Sequence, residues 1–169
     1  LVWRWGHTEP AKYFGSANHK FVDRVCNGLW EYQPDFSQPV WRAGADSIQS
    51  VEVGDDGLWA KAGETGEIVW TIRAPYVIVG GKLDAVATAA TFEISWDGKN
   101  WEAVAADLDS FFPSVGTARY SYFLRCRLNG MARLRSLKIS NDLQMAPLTL
   151  PEMAVGSNTF TFYCFTTQM

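Results

Sequence analysis

The sequence holds two histidines, His7 and His19, and three cysteines, Cys26, Cys126 and Cys164. Nucleophilic catalysis needs a thiol or hydroxyl activated by a neighbouring base, and the one set that can be drawn joins Cys26 to His19 and Asp23. Closeness in sequence is not the spatial convergence such a set requires, so no catalytic residue is assigned. Glycoside hydrolysis needs two carboxyl groups facing each other across a cleft. Asp107 with Asp109, and Glu31 with Asp35, are the available pairs, each in a proline-containing or aromatic loop and recommended by residue type alone. No glycine-rich phosphate loop or dinucleotide fingerprint is present. The expectation is a non-catalytic chain.

Binding chemistry has better candidates. Aromatic residues make up 14% of the chain, eight of them tryptophans, and such rings serve either thick β cores or stacking platforms for sugar rings. Trp96 sits between Ser95 and a turn, where an exposed indole could stack on a sugar face; the competing reading packs it on a neighbouring loop. Trp101, which resumes the alternation after the turn, reads as a core anchor. Arg119, Arg125, Arg127, Arg133, Arg135 and Lys138 concentrate basic charge in a chain of net charge −3. Arg127, Arg133, Arg135 and Lys138 are candidates to pair with carboxylates or sulfates of an anionic polysaccharide. Alternatively, they form a solvated face whose heads meet Asp or Glu on adjacent strands. Asp55, Asp56, Glu64 and Glu67 could hold a structural calcium through carboxylate oxygens. Their spacing matches no EF-hand loop and turn chemistry accounts for them, so no metal or cofactor is expected.

These residues must be positioned by a β framework. From about residue 51 onward, short apolar or alternating runs are separated by Gly, Asp, Asn and Pro, the pattern of an antiparallel sandwich. A run at 47–53 closes on the turn GDDG, and strands at 58–61 and 67–73 follow. In the second of these, Ile68, Trp70 and Ile72 share one face and Glu67, Val69, Thr71 and Arg73 the other. Pro75 ends that strand, 76–79 forms another run, and 82–92 is a strand whose alanines imply close packing or twist. TFEISWDGKNWEAV, 91–104, predicts a hairpin turning at Asp97-Gly98. In ARYSYFLRCRLNG one face carries Tyr120, Tyr122, Leu124, Cys126 and Leu128; Cys126 and Cys164 read as small buried residues. Asn129-Gly130 predicts a turn into ARLRSLKISNDLQM, where the apolar parity shifts between Leu134 and Leu137, implying a bulge near Ser136. An aromatic strand at 159–165 closes the sheet. Residues 1–45 read as irregular segments, with one helical turn in KFVDRV, packed on a sandwich formed by 46–169.

The stretch from 66 to 162 resembles the jelly-roll β-sandwich modules appended to bacterial polysaccharide-degrading enzymes. EIVWTIRAPYVIVGGKLDA, FEISWDGKNWEAV, YSYFLRCRL and LKISNDLQMAPLTLPEMAVGSNTFTF carry the likeness. The hairpin is also similar to the S-x-D-G-x-x-W turn of discoidin-type, galactose-binding-like domains. Ser95, Asp97, Gly98 and Trp101 approximate the Asp-box of sialidase-like propellers, but the turn is one residue shorter and occurs once, whereas a propeller repeats its blades. The resemblance implies an all-β, jelly-roll-like single domain that binds a polysaccharide or packs on a catalytic domain of its parent.

At 169 residues, 47% of them hydrophobic, one core is expected. No apolar segment approaches the roughly 20 residues of a membrane span, and the net charge offers no global attraction to nucleic acid. The opening LVWRWGHTEPAKYF lacks a signal peptide's cationic start and apolar run. It reads as a segment excised from a larger exported protein, extracellular or periplasmic. A carbohydrate-binding module, a ligand-free structural accessory domain, and an independent hydrolase or lyase are the functions carried forward, in that order.

Overall fold

The computed structural model describes residues 2–5, 28–112 and 117–144. Eight antiparallel strands account for most of them: β1 (Val2–Trp5), β2 (Gly28–Tyr32), β3 (Ser47–Gln49), β4 (Val51–Gly54), β5 (Gly57–Ala60), β6 (Thr65–Ser95), β7 (Glu102–Val104) and β8 (Arg119–Gln144). Short 3-10 turns lie at Pro39–Gly44 and Asp109–Phe111. Among the described residues no helix is long and apolar enough to cross a membrane.

Two long bent strands make the architecture. The first half of β8 lies between the two ends of β6: Leu124 is in register with Trp70 on one edge and Ile94 on the other, Cys126 with Ile68 and Phe92, Arg127 with Glu67 and Thr91. A strand can meet both ends of one partner only where that partner curls round it, so the sheet is nearly closed. The second half of β8 pairs with the middle of β6 on one edge and with β5 and β2 on the other. The hairpin of β4 and β5, strand β3 at the start of β6, β7 at its end, and β1 on β2 complete the all-β antiparallel domain.

The inward faces are those the alternation predicts. Ile68, Trp70 and Ile72 of β6 meet Tyr122, Leu124, Cys126 and Leu128 of β8, all at most 2% exposed. Trp70 alone, burying roughly 150–250 Å², contributes on the order of 4–6 kcal/mol of transfer free energy before entropy is charged against it. Leu58, Leu134, Leu137, Ile139, Leu143, Leu108 and Phe112 extend the same core. The parity change is present as well: Leu134 and Leu137 both point inward, and the register with β6 slips between Val86 and Ala87, leaving Arg135 as the extra residue.

Two sequence expectations, and one of the two readings of the alanine stretch, give way to one cause, the bending of the long strands. Pro75 does not end a strand; β6 runs through it, and the register skips between Arg73 and Val77, where a residue without an N–H fits. Asn129-Gly130 is not a hairpin turn, because β8 continues through it. Gly130, at φ +56°, and Ala89, at φ +54°, both fall in the break of register between Thr88–Arg133 and Ala90–Leu128, so both strands bend together at one corner. The alanines of 84–89 are not closely packed, since that stretch is exposed on both faces. Within the first 45 residues, β1 and β2 are ordered strands, with Trp30 in register with Asn141 of β8. The helical turn in KFVDRV and the aromatic strand at 159–165 lie outside the described residues.

Candidate functional site

The hairpin between β6 and β7 is held by a closed hydrogen-bond system. The hydroxyl of Ser95, buried at the strand end, accepts from the backbone N–H of Gly98 (2.9 Å) and of Asp97 (3.3 Å) and donates to Asp97 Oδ1 (3.0 Å). The Asp97 carboxylate accepts from the N–H groups of Lys99 and Asn100 (both 2.8 Å) and from Asn100 Nδ2 (2.7 Å). Those donors, the Asn100 and Lys99 backbone first, hold the Asp97 carboxyl well below the usual carboxylate range. Gly98 supplies the positive φ, +71°. This turn fixes what precedes and follows it, Trp96 and Trp101.

Trp96 is half-buried at one end of the nearly closed sheet. Its ring meets Phe112 edge-on (centroids 5.5 Å) and Tyr122 (6.4 Å), which fixes its orientation. The Arg119 guanidinium lies over the indole, 4.3 Å from the ring centroid, a cation–π contact worth about 0.5–1 kcal/mol. Tyr120 shares the face of Tyr122 one strand step nearer this end and is 49% exposed. Trp101 differs from its expected place: it is not in the buried core but stands outside, with Arg125 laid over it at 4.0 Å.

The basic residues of β8 point outward and most are already partnered. Arg125 Nε donates to Glu93 (2.8 Å) and Arg127 Nε to Glu67 (3.2 Å), with longer cross-pairs between them. Arg135 grips both carboxylate oxygens of Asp56 at 2.7 Å, and Lys138 Nζ lies 2.6 Å from Glu31. Arg133 donates to the Ala132 carbonyl and covers Trp59. Of the sequence candidates, Arg127, Arg133, Arg135 and Lys138 therefore lie along the sheet face in separate local pairs, and they do not converge on Trp96. The cation brought to Trp96 is Arg119, which residue type and charge density did not single out as a contact. Arg119 meets no carboxylate or hydrogen-bond acceptor among the described residues.

The acidic candidates are likewise dispersed. Asp56 is held by Arg135, Glu67 by Arg125 and Arg127, and Glu64 accepts from the Ser50 hydroxyl. No group of three His, Cys, Asp or Glu side chains able to hold a metal forms among the described residues. Asp107 Oδ1 accepts from the Asp109 N–H and Asp109 Oδ1 from the Gly81 N–H, both 2.9 Å, so this pair fastens a turn. Glu31 faces Lys138, and Asp35 accepts from Ser37. Cys126 is a buried free thiol whose pKa burial pushes up to about 12. His7, His19, Asp23, Cys26 and Cys164 lie outside the described residues.

One groove of about 410 Å³ opens where 84–91 of β6 arches away from 103–106. Leu83, Ala85, Ala87, Thr91, Phe92 and Ala105 are among its lining residues. It is bounded by the Phe92 and Val104 pair at one end and the Leu83 N–H bond to Ala106 at the other. Beside it Val86 is 56% exposed and, at the corner, Met131 is 86% exposed. No family model matches the chain, and no curated protein or solved structure matches it either.

Proposed function

We propose that the chain is a non-catalytic carbohydrate-binding module of an exported polysaccharide-degrading protein, with its contact surface at Trp96, Arg119 and Tyr120. The observation that carries this reading is the half-buried indole at the end of the sheet. It is oriented by Phe112 and Tyr122 and covered by the Arg119 guanidinium, which has no acceptor among the described residues, and the exposed Tyr120 follows that arginine in sequence. Rigid aromatic faces with a few polar donors suit a pyranose, whose C–H face stacks and whose hydroxyls bond. Such a module raises the local concentration of polysaccharide at an attached catalytic domain. The candidate carboxylate pairs fasten turns or meet cations, which favours binding over hydrolysis.

The test is a screen of neutral and anionic polysaccharides by affinity electrophoresis, with calorimetry on those that retard the protein. Saturable retardation, weakened in Trp96→Ala, is expected. Silence across the panel would sink the reading. In that event the structural accessory role takes its place, favoured by the exposed apolar ribbon at 84–89 with Val86 and Met131.

A further inference from the structure

We infer that the Trp96 end of the sheet receives a carboxylate, so that its glycans are uronate-bearing; this rests on the carbohydrate reading above. A guanidinium offers five N–H donors in a planar fork that matches the two oxygens of a carboxylate. Arg119 is half-buried with its guanidinium carbon 4.3 Å from the Trp96 ring centroid, so part of the ordering that binding would demand of it is already met. Its N–H edge nevertheless has no acceptor among the described residues, in contrast to Arg125, Arg127 and Arg135 further along the same strand, each tied to a carboxylate. Asp97, next in sequence to Trp96, spends its oxygens on Ser95, Lys99 and Asn100.

Arg119 lies over one face of the Trp96 indole. A neutral sugar stacking on that face must displace the cation, whereas an acidic sugar can meet the N–H edge and leave the stack intact.

The experiment measures the intact chain against polygalacturonate, alginate and hyaluronate, each beside its carboxyl-reduced counterpart, and against neutral glucans and dextran sulfate. At least one uronate polymer is expected to bind, with the reduced form about tenfold weaker or more and with affinity falling as salt rises. Arg119→Gln should remove most of that difference and Arg119→Lys only part of it, both unfolding at the wild-type temperature. Equal binding of the reduced polymers, equal binding of dextran sulfate, or discrimination that survives Arg119→Gln overturns the inference. The comparison with reduced polymers needs no variant and stands even if one misfolds. Binding confined to neutral glucans refutes the uronate assignment alone, while failure of every glycan removes the carbohydrate reading with it.

Discussion

Tyr122 and Asn141 form a buried polar pair inside an otherwise apolar core, and breaking it from one side should be costly. The phenol donates to Asn141 Oδ1 at 3.0 Å; the two residues are 1% and 0% exposed. Asn141 Nδ2 has no partner among the described residues, so this is the amide's one side-chain hydrogen bond there. Tyr122→Phe leaves the whole amide buried and unsatisfied, a loss of about 1–3 kcal/mol, or roughly 2–4 °C in Tm for each kcal/mol in a chain of this size. Asn141→Leu orphans the phenol but removes the amide's idle donor, so its cost should be smaller. The double variant, Tyr122→Phe with Asn141→Leu, replaces both groups by apolar ones of similar shape and should regain most of the stability. Urea unfolding of the four proteins, followed by tryptophan fluorescence, gives the coupling directly. Single losses that add within about 0.5 kcal/mol, or a Tyr122→Phe cost smaller than that, would refute the pairing.

Three other perturbations have signed outcomes. A Cβ at Gly54 would overlap the Trp59 ring at Cη2, so Gly54→Ala must push the indole off its seat. A loss of about 1–3 kcal/mol is expected, together with loss of the Trp59 contact to Arg133; unchanged urea unfolding would contradict it. Burial holds Cys126 protonated up to about 12, against 9.0 when free, so the unfolded chain releases this proton first. Its contribution is intact below pH 9 and declines above it by at most about 1.4 kcal/mol per pH unit. Cys126→Ala should therefore show a shallower fall in stability between about pH 9 and 10.5, and parallel curves would disprove the assignment. Asp97 behaves oppositely: its lowered pKa adds stability that is complete above pH 3.8 and drains away as pH falls through the folded value. Acid titration of Asp97→Asn should lack that part of the slope.

Features set by local chemistry were legible in the sequence. The Asp97-Gly98 hairpin and the GDDG turn between β4 and β5 form where they were expected, because a tight turn is specified by its own residues. So is the bulge at Arg135 and Ser136, since two inward-facing leucines three positions apart on one strand require an extra residue between them. Pro75 and Gly130 misled for a shared reason. A missing N–H or a positive φ marks a break in regular strand geometry, but whether the chain turns back or bends with its partner depends on residues far away. For Gly130 the bend coincides with that at Ala89, far back along the chain, in one break of register. Trp101 misled in another way. The alternation resumed as expected, but Arg125 supplied a partner outside the core, and the ring stayed on that side.

The same dependence on register decides which arginine is available for a ligand. Arg125 stands directly across from Glu93, and Arg127 across from Glu67, so each finds its carboxylate by strand pairing alone. Arg119 stands across from Ile78, and an aliphatic neighbour leaves a guanidinium nothing to bond. By residue type the arginines of β8 are equivalent, and charge density alone pointed to the crowded middle of the basic stripe. Strand pairing neutralises Arg125 and Arg127, because opposite charges on neighbouring strands are aligned by the same register that packs the core. Arg119 lies at the strand's first residue, where pairing ends and the aromatic cluster begins, and finds no such carboxylate among the described residues. Ile78→Glu should accordingly supply Arg119 with an internal partner. That substitution carries a risk, because Ile78 is 2% exposed, and a new carboxylate there must reach outward to be tolerated. Thermal unfolding has to confirm the fold before binding is compared. In a folded Ile78→Glu protein, uronate binding should fall as it does in Arg119→Gln; undiminished binding would show that register is not what leaves Arg119 free.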